Sequence, residues 1–297
     1  MNTIQPRLYS GLRDRLPEQM VYRNFVTDQL RSVFEKYGFE PLETPAIEYY
    51  DILTGKYGQE AENLIYRLAH RDGNTLALRY DLTVPLARTI GSNSELVRPI
   101  FKRYQIQQVW RGERPQKGRY REFTQCDIDA VGNSSILVEA EILAIINEMM
   151  VNLGFDDFHI LINNRKILDG MVAYAGIPDQ LRAVCRSIDK LDKIGSQKVQ
   201  EELIQQGISK DEIDRIFTVI SLESDDILSQ LDQLIGEFGQ ASQGIDELRE
   251  IQQTLQTFGV PTDHYRFDPS LARGLDYYTG PIFEVVVKTA GIGSVVG

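Results

Sequence analysis

The stretch PIFKRYQIQQVWRGERPQKGRYREFTQCDIDAV, residues 99–131, decides how this chain is read. It divides into two strand-like runs, PIFKRYQIQQVW and REFTQCDIDAV, joined by the polar, basic loop RGERPQKGRY. Two such runs around a loop rich in turn formers predict an antiparallel hairpin. Side chains alternate along a strand, so Phe123, Gln125, Asp127 and Asp129 are predicted to share one face, and Thr124, Cys126 and Ile128 the other.

The flanking sequence fills in an α+β fold. Residues 18–37 carry Val21, Phe25, Leu30, Val33 and Phe34 at helical spacing, with Gly38 as a stop. The proline-bracketed PLETPAIEYYDIL follows as an extended piece. NLIYRLA and LALRY are short β-like runs around the turn HRDGN. A helix is predicted over 135–153, closed by Gly154, and then a strand at FHILINN. Residues 167–258 are helical in pattern, rich in Gln, Glu, Asp and Leu, and broken at GIPD, GIS and FGQASQG. β-character returns at HYRFDPS and PIFEVVVK. Strands that adjoin without intervening helices predict an antiparallel sheet rather than a doubly wound one. The expected division is 1–166 as a core, 167–258 as an inserted helical subdomain, and 259–297 as a return to the core.

Composition bounds the function. Of the 297 residues, 42% are hydrophobic and 25% charged, the balance of a globular domain with a sizeable core. The longest apolar stretch, Ile142 to Leu153, is interrupted by Asn147, Glu148 and Asn152 and is too short to span a bilayer. The first twenty residues have no apolar secretory core. Cys126 and Cys185 lack pair spacing, which argues against a disulfide scaffold or cysteine-rich zinc site and fits a reducing cytosol. His70, His159 and His264 stand alone, so no metal site is assigned. The tail GIGSVVG has the spacing GxGxxxG with no helix after it, a weak match to a dinucleotide-binding loop.

Net charge is −11, which on its own counts against nucleic acid as a partner. Yet Arg98, Lys102, Arg103, Arg111, Arg114, Lys117, Arg119 and Arg121 face a single acid, Glu113, between positions 98 and 121. A basic segment in an acidic chain suits a small polyphosphate or a nucleic-acid end.

Four pieces could carry chemistry, and each has a bland alternative. The loop from Arg111 to Arg121 is either a solvated turn or a phosphate clamp, since arginine presents a planar fork to phosphate oxygens. Arg111, at the end of an apolar strand, is the strongest member. Gln125, Asp127 and Asp129 form either an exposed sheet face or a polar pocket for a cationic ligand. In RYDLTVPLAR (79–88), Asp81 and Thr83 are either a helix N-cap before Pro85 or ligands for an ammonium group. In LARGLDYYTG (271–280), Arg273 and two tyrosines are either a packed turn or part of a site.

In this order the four pieces resemble the histidyl-tRNA synthetase family of class II aminoacyl-tRNA synthetases. The segment ending at ETPAIE, with Pro45, resembles class II motif 1, and WRGERPQKGRYREFTQCDID resembles motif 2. LARGLDYYTGPIFE and LRYDLTVPLAR resemble stretches peculiar to histidine-specific members, and the DLT form looks closer to the eukaryote-type branch. The resemblance implies a class II antiparallel sheet flanked by helices and a cytoplasmic homodimer joined through residues 18–50. It implies ATP-dependent activation of L-histidine and transfer to tRNA(His), with Mg2+ on the outer phosphates of ATP. By resemblance, Arg111 grips the ATP α-phosphate, and Glu113, Arg119 and Phe123 hold the adenine and outer phosphates. Asp81, Thr83 and Gln125 receive the histidine ammonium, with the Leu82 backbone nearby. Asp129 and Tyr278 read the imidazole beside Tyr277, and Arg273 is the catalytic arginine across the α-phosphate from Arg111. The family continues beyond the position of Gly297 with a GGRYD stretch, a motif 3 helix and an anticodon-binding domain. The chain by itself is therefore expected to aminoacylate poorly. The strongest rival is a non-catalytic relative, such as a histidine-sensing regulatory subunit of ATP phosphoribosyltransferase. Such relatives are eroded at the motif 2 arginine or in RGLDYY, and here both are intact.

Overall fold

The computed structural model describes residues 4–55, 63–71, 73–97, 99–116, 118–224, 226–273, 278–287 and 294–297. The chain divides into two compact units, Met1–Ser134 and Ser135–Gly297.

In the first unit, helix α1 (Pro17–Lys36) starts with proline at a position where its missing N–H costs nothing. The Gln19 side chain accepts from the Leu16 N–H at 3.3 Å. At the other end, Gly38 takes φ +77, and Phe39 donates back to the Phe34 carbonyl at 3.0 Å. Val33 and Phe34 are buried, but Val21, Tyr22 and Phe25 are all more than half exposed. The apolar stripe read from the sequence is thus covered only at its C-terminal end.

Strands β2 (Ile47–Tyr49), β3 (Arg67–Ala69) and β4 (Thr75–Leu78) form an antiparallel sheet ordered β2-β4-β3. The short helix α2 (Tyr50–Thr54) follows β2. The predicted strand NLIYRLA is in register with β4 over its last three residues, and the Tyr66 carbonyl before them accepts from the Leu78 N–H at 2.9 Å. Its Leu64 carbonyl accepts instead from the Gly112 N–H at 2.7 Å, which ties that end of the run to the basic loop. Strands β5 (Phe101–Trp110) and β6 (Glu122–Val131) form the predicted hairpin, ten residues each, in register from Phe101↔Val131 to Trp110↔Glu122. The two-residue β1 (Glu40–Pro41) runs parallel to β5 on its other edge. Helix α3 (Thr83–Ser92) connects β4 toward the hairpin.

Arg79, just after β4, holds these pieces together. It is almost fully buried. Its Nη1 donates to the Thr44 carbonyl (2.6 Å), Thr44 Oγ1 (3.3 Å), the Pro45 carbonyl (3.3 Å) and Gln107 Oε1 (2.9 Å), and its Nε to the Gln108 carbonyl (2.8 Å). Burial pulls this guanidinium below the ordinary arginine range, and Glu43 and Glu48 oppose that shift. Glu48 is itself gripped by Arg88 of α3 through both carboxylate oxygens.

The second unit opens with α4 (Ile136–Asn152), capped by Ser135 Oγ on the Leu137 N–H and ended by Gly154 at φ +83. Strand β7 (Phe158–Asn164) leads into α5 (Arg165–Ala175), α6 (Leu181–Ile188), α7 (Leu191–Ile194), α8 (Ser196–Gln205), α9 (Lys210–Ile220), α10 (Ile227–Ile235) and α11 (Ala241–Thr257). Strands β8 (Tyr265–Phe267), β9 (Pro281–Val287) and β10 (Ser294–Val296) complete a sheet ordered β10-β9-β7-β8. Only β7–β8 is parallel in it. A single hydrophobic core joins α4, the helices from α5 to α11 and the strands β7 to β9. Helices α5 and α11 approach so closely that a Cβ on Gly170 would lie 2.4 Å from that of Ala241. No helix among the described residues is long and apolar enough to cross a membrane.

Arg79→Met would leave three backbone carbonyls and Gln107 short of a donor. It is expected to destabilise the first unit by about 3 kcal/mol. Chemical denaturation followed by circular dichroism checks this; an unchanged midpoint would show that the clamp is dispensable.

Candidate active site

The hairpin register builds the site. Residues directly opposite in an antiparallel pair project to the same side. Arg103 faces Asp129, Gln105 faces Asp127, Gln107 faces Gln125, and Val109 faces Phe123. One side of the hairpin is therefore a polar row of Arg103, Gln105 and Gln107 beside Gln125, Asp127 and Asp129, the grouping that alternation predicts for β6. The other side meets α1 and the segment before it: Tyr104 donates to Glu35 Oε1 at 2.8 Å, Arg23 donates to Thr124 Oγ1, and Arg15 lies 3.9 Å from Glu122.

The polar row is charged, buried at Arg103 and Gln105 and half-buried along β6. Arg103 is completely buried, with Nη2 2.6 Å from Asp129 Oδ2 and 3.5 Å from the Leu82 carbonyl. Gln125 Nε2 donates to Asp127 Oδ2 at 3.0 Å. Gln105 Nε2 donates to Thr44 Oγ1 (2.8 Å) and Gln107 Oε1 (2.6 Å). Burial pushes the Asp127 carboxyl up to about 6, aided by the charges of Asp129 and Asp81 and opposed by Arg103 and the Gln125 hydrogen bond. Asp129 is pushed up by burial and by Asp81, again opposed by Arg103. The buried Oε1 atoms of Gln105 and Gln125 accept no hydrogen bond among the described residues.

Asp81 and Leu82 are buried at the entry to α3, while Thr83, its first residue, is exposed. Asp81 Oδ1 accepts from the Val84 N–H at 3.1 Å, so the helix-capping alternative read from the sequence is realised. The same carboxylate lies within electrostatic reach of Asp127 and Asp129.

Arg111 leaves the end of β5 held on three sides. Its Nε donates to the Tyr80 carbonyl at 3.2 Å, and its guanidinium carbon lies 4.5 Å from the Tyr80 ring centre and 5.0 Å from that of Phe123. Its backbone N–H donates to the Arg121 carbonyl at 2.9 Å. Glu113 lies 3.8 Å from Arg119, whose side chain is mostly exposed. Arg121, counted in the sequence as one more clamp charge, is a brace instead. It donates to the carbonyls of Glu113 and Ser10 at 3.0 Å each and stacks over Tyr9. The structure thus brings Asp81, Leu82, Gln125 and Asp129 to one neighbourhood, with Arg111, Glu113, Arg119 and Phe123 at the loop end of the same hairpin.

In the second unit, Arg273 Nη1 lies 3.1 Å from Glu284 Oε1 and donates to Ser294 Oγ at 3.0 Å. Tyr278 is 41% exposed. Tyr277 lies outside the described residues. Sequence reasoning gave no role to Tyr80, Arg79 or Arg103. The one available signal was that Arg103, Gln105 and Gln107 form a polar row on a strand whose other members include Phe101, Ile106 and Val109.

A sequence model described as histidyl-tRNA synthetase matches residues 11–295. The chain is 48% identical to the histidine–tRNA ligase of Gloeobacter violaceus over 96% of its own length and 66% of that protein's. It is 42% identical to that of Cytophaga hutchinsonii over 99% of its own length and 70% of the relative's. The crystal structure of histidyl-tRNA synthetase from Nostoc sp. PCC 7120 superposes with a TM-score of 0.86 at 36% identity, over 96% of this chain and 66% of that one. The chain spans about two thirds of the length of these relatives.

The raised Asp127 carboxyl gives a signed prediction. Its folded value of about 6 exceeds the ordinary ~3.9, so the folded state holds the proton more tightly. Native stability from this group is greatest below about pH 4 and falls as pH rises toward about 6. Asp127→Asn is therefore expected to stabilise the ligand-free chain at pH 7.5 by roughly 1–3 kcal/mol, with the gain vanishing by pH 4. Urea titrations at the two pH values measure it, and a gain that does not depend on pH would contradict the assignment.

Proposed function

The chain belongs to the histidyl-tRNA synthetase family, and on that premise we propose that it is the catalytic portion of a histidine–tRNA ligase. The reading is carried by the polar face of the β5–β6 hairpin. Gln125, Asp127 and Asp129 stand beside Asp81 on one side of it, and Arg111 is braced between Tyr80 and Phe123 at its loop end. A cation-seeking row ending in a fixed guanidinium suits an amino acid whose carboxylate must meet a phosphate.

In the proposed reaction a carboxylate oxygen of L-histidine attacks the α-phosphorus of ATP in line. The bond to the β,γ-phosphates breaks, pyrophosphate leaves with the electron pair, and histidyl-adenylate remains. A terminal hydroxyl of tRNA(His) then takes the histidyl group and AMP departs. The carboxylate is already ionised, so the first step needs no base. Its rate comes from positioning and from fixed positive charge. Arg111 and Arg273 supply that charge to the α-phosphate. Mg2+, arriving with ATP, screens the outer phosphates, and Glu113, Arg119 and Phe123 together help to hold the adenine and those phosphates. Asp81, Thr83 and Gln125 receive the ammonium, with the Leu82 backbone nearby, and Asp129 and Tyr278 read the imidazole beside Tyr277. The unbonded Gln125 Oε1 supports its part in this set. An amino acid without the imidazole N–H would leave a buried acceptor unpaired, which supports discrimination of about 10⁴-fold.

We further propose a cytoplasmic homodimer joined through residues 18–50. The exposed Val21, Tyr22 and Phe25 of α1, with Ile47 and Tyr49, support it, since exposed large apolar side chains favour cover. The helices of 167–258 are proposed as a subdomain inserted between core segments 1–166 and 259–297. A histidine-sensing, non-catalytic relative is less well supported, because Arg111 and Arg273 are both present.

Histidine-dependent ATP–pyrophosphate exchange on the full-length gene product tests the reading. Arg273→Ala is expected to reduce exchange by roughly 10³-fold, as loss of a charge that stabilises the transition state does, while histidine still binds. No exchange in the wild type would favour the sensor reading, and exchange surviving the substitution would remove Arg273 from the mechanism.

A further inference from the structure

Two buried arginines lie near the polar face, and they are satisfied very differently. Arg79 makes five hydrogen bonds, four of them to oxygens of Thr44, Pro45 and Gln108, so the fold itself answers its charge. Arg103 is more deeply buried. Its only short contact among the described residues is the 2.6 Å approach to Asp129, with the Leu82 carbonyl at 3.5 Å, and its Nε and Nη1 donate to nothing. Burying a guanidinium on such terms costs several kcal/mol, and a well-packed apolar side chain would serve the core as well or better. Packing alone does not account for an arginine here.

The charges around it do. Asp81 before α3 raises the hold on a proton of both Asp127 and Asp129 on β6, and Asp129 raises that of Asp127 further. Arg103 opposes that effect on both strand carboxylates. The remaining titratable group in its reach is the Cys126 thiol, which alternation places on the opposite side of β6.

We propose that Arg103 is a positioning residue of the amino-acid pocket: a buried counter-ion that aims the Asp129 carboxylate and balances the charge of the two strand carboxylates, so that this face can receive the ligand's ammonium and imidazole N–H. The proposal rests on the reading of that face as a histidine site. It assigns Arg103 no contact with the ligand. Its influence passes through Asp129 first and Asp127 second. Without the cation both carboxyls take up protons more readily, and a protonated carboxyl is a poor acceptor for an ammonium group.

Isothermal titration of L-histidine into the whole chain tests this, with wild type, Arg103→Met and Arg103→Lys compared at pH 6.5 and 8.5. The ratio of variant to wild-type dissociation constants cancels the ligand's own titration. Arg103→Met is expected to weaken binding roughly 30-fold at pH 6.5, the order seen when a buried charge pair loses one partner, and by less than tenfold at pH 8.5, where the carboxyls ionise regardless. Arg103→Lys is expected to recover most of the loss. If the methionine variant does not fold, as judged by circular dichroism, Arg103→Gln carries the same comparison. An unchanged constant, or a ratio equal at both pH values, would overturn the proposal, since a merely structural role gives no pH dependence. Wild-type chain that fails to bind histidine would overturn the site reading itself and this proposal with it.

Discussion

A guanidinium sealed from water must be answered by oxygen, and in the β5–β6 hairpin the oxygen comes from the strand opposite. Arg103 and Asp129 are register partners, so forming the hairpin and forming the ion pair are one event. A slip of one residue would turn every member of the polar row to the side that meets α1, where Tyr104 and Thr124 now pack and bond. The same register sets Gln125 and Asp127 beside Asp129 and delivers Arg111 to the strand end. One register thus sets both the ion pair and the alignment on which the candidate site depends.

Much of this frame is legible in the sequence because its signals are local. Gly38 and Gly154 end helices where expected, Ser135 caps α4, and the hairpin follows from two alternating runs around a turn-forming loop. What escapes local reading depends on distant partners. Arg79 reaches back to Thr44 and forward to Gln107, and nothing in its neighbourhood announces that clamp. The run NLIYRLA has strand composition throughout, yet Leu64 spends its carbonyl on Gly112, almost fifty positions on. Two short parallel pairings, β1–β5 and β7–β8, also enter sheets expected to be antiparallel.

The candidate site was partly visible for the same reason. Alternation alone gathered Gln125, Asp127 and Asp129, and the strand-end position of Arg111 set it apart from the loop charges. Alternation could not separate Arg121, a brace on Ser10 and Glu113, from the charges left facing solvent, because that depends on the path of the N-terminal segment. Roles for Arg273, Tyr277 and Tyr278 came from resemblance to a family rather than from spacing. The site is also costly to hold empty. Two carboxyls pushed upward by burial and by neighbouring carboxylates are tolerable where a cationic ligand later relieves the repulsion, a common exchange of stability for function.

The central claim is that the polar side of the β5–β6 hairpin receives histidine, and a crystal structure of the chain grown with L-histidine tests it most directly. The amino acid is expected on that side, with its imidazole within hydrogen-bond distance of Asp129 and its ammonium beside Gln125 and Asp81. Density for the ligand elsewhere, with Gln125 and Asp129 making no contact to it, would remove this face of the hairpin as the histidine site.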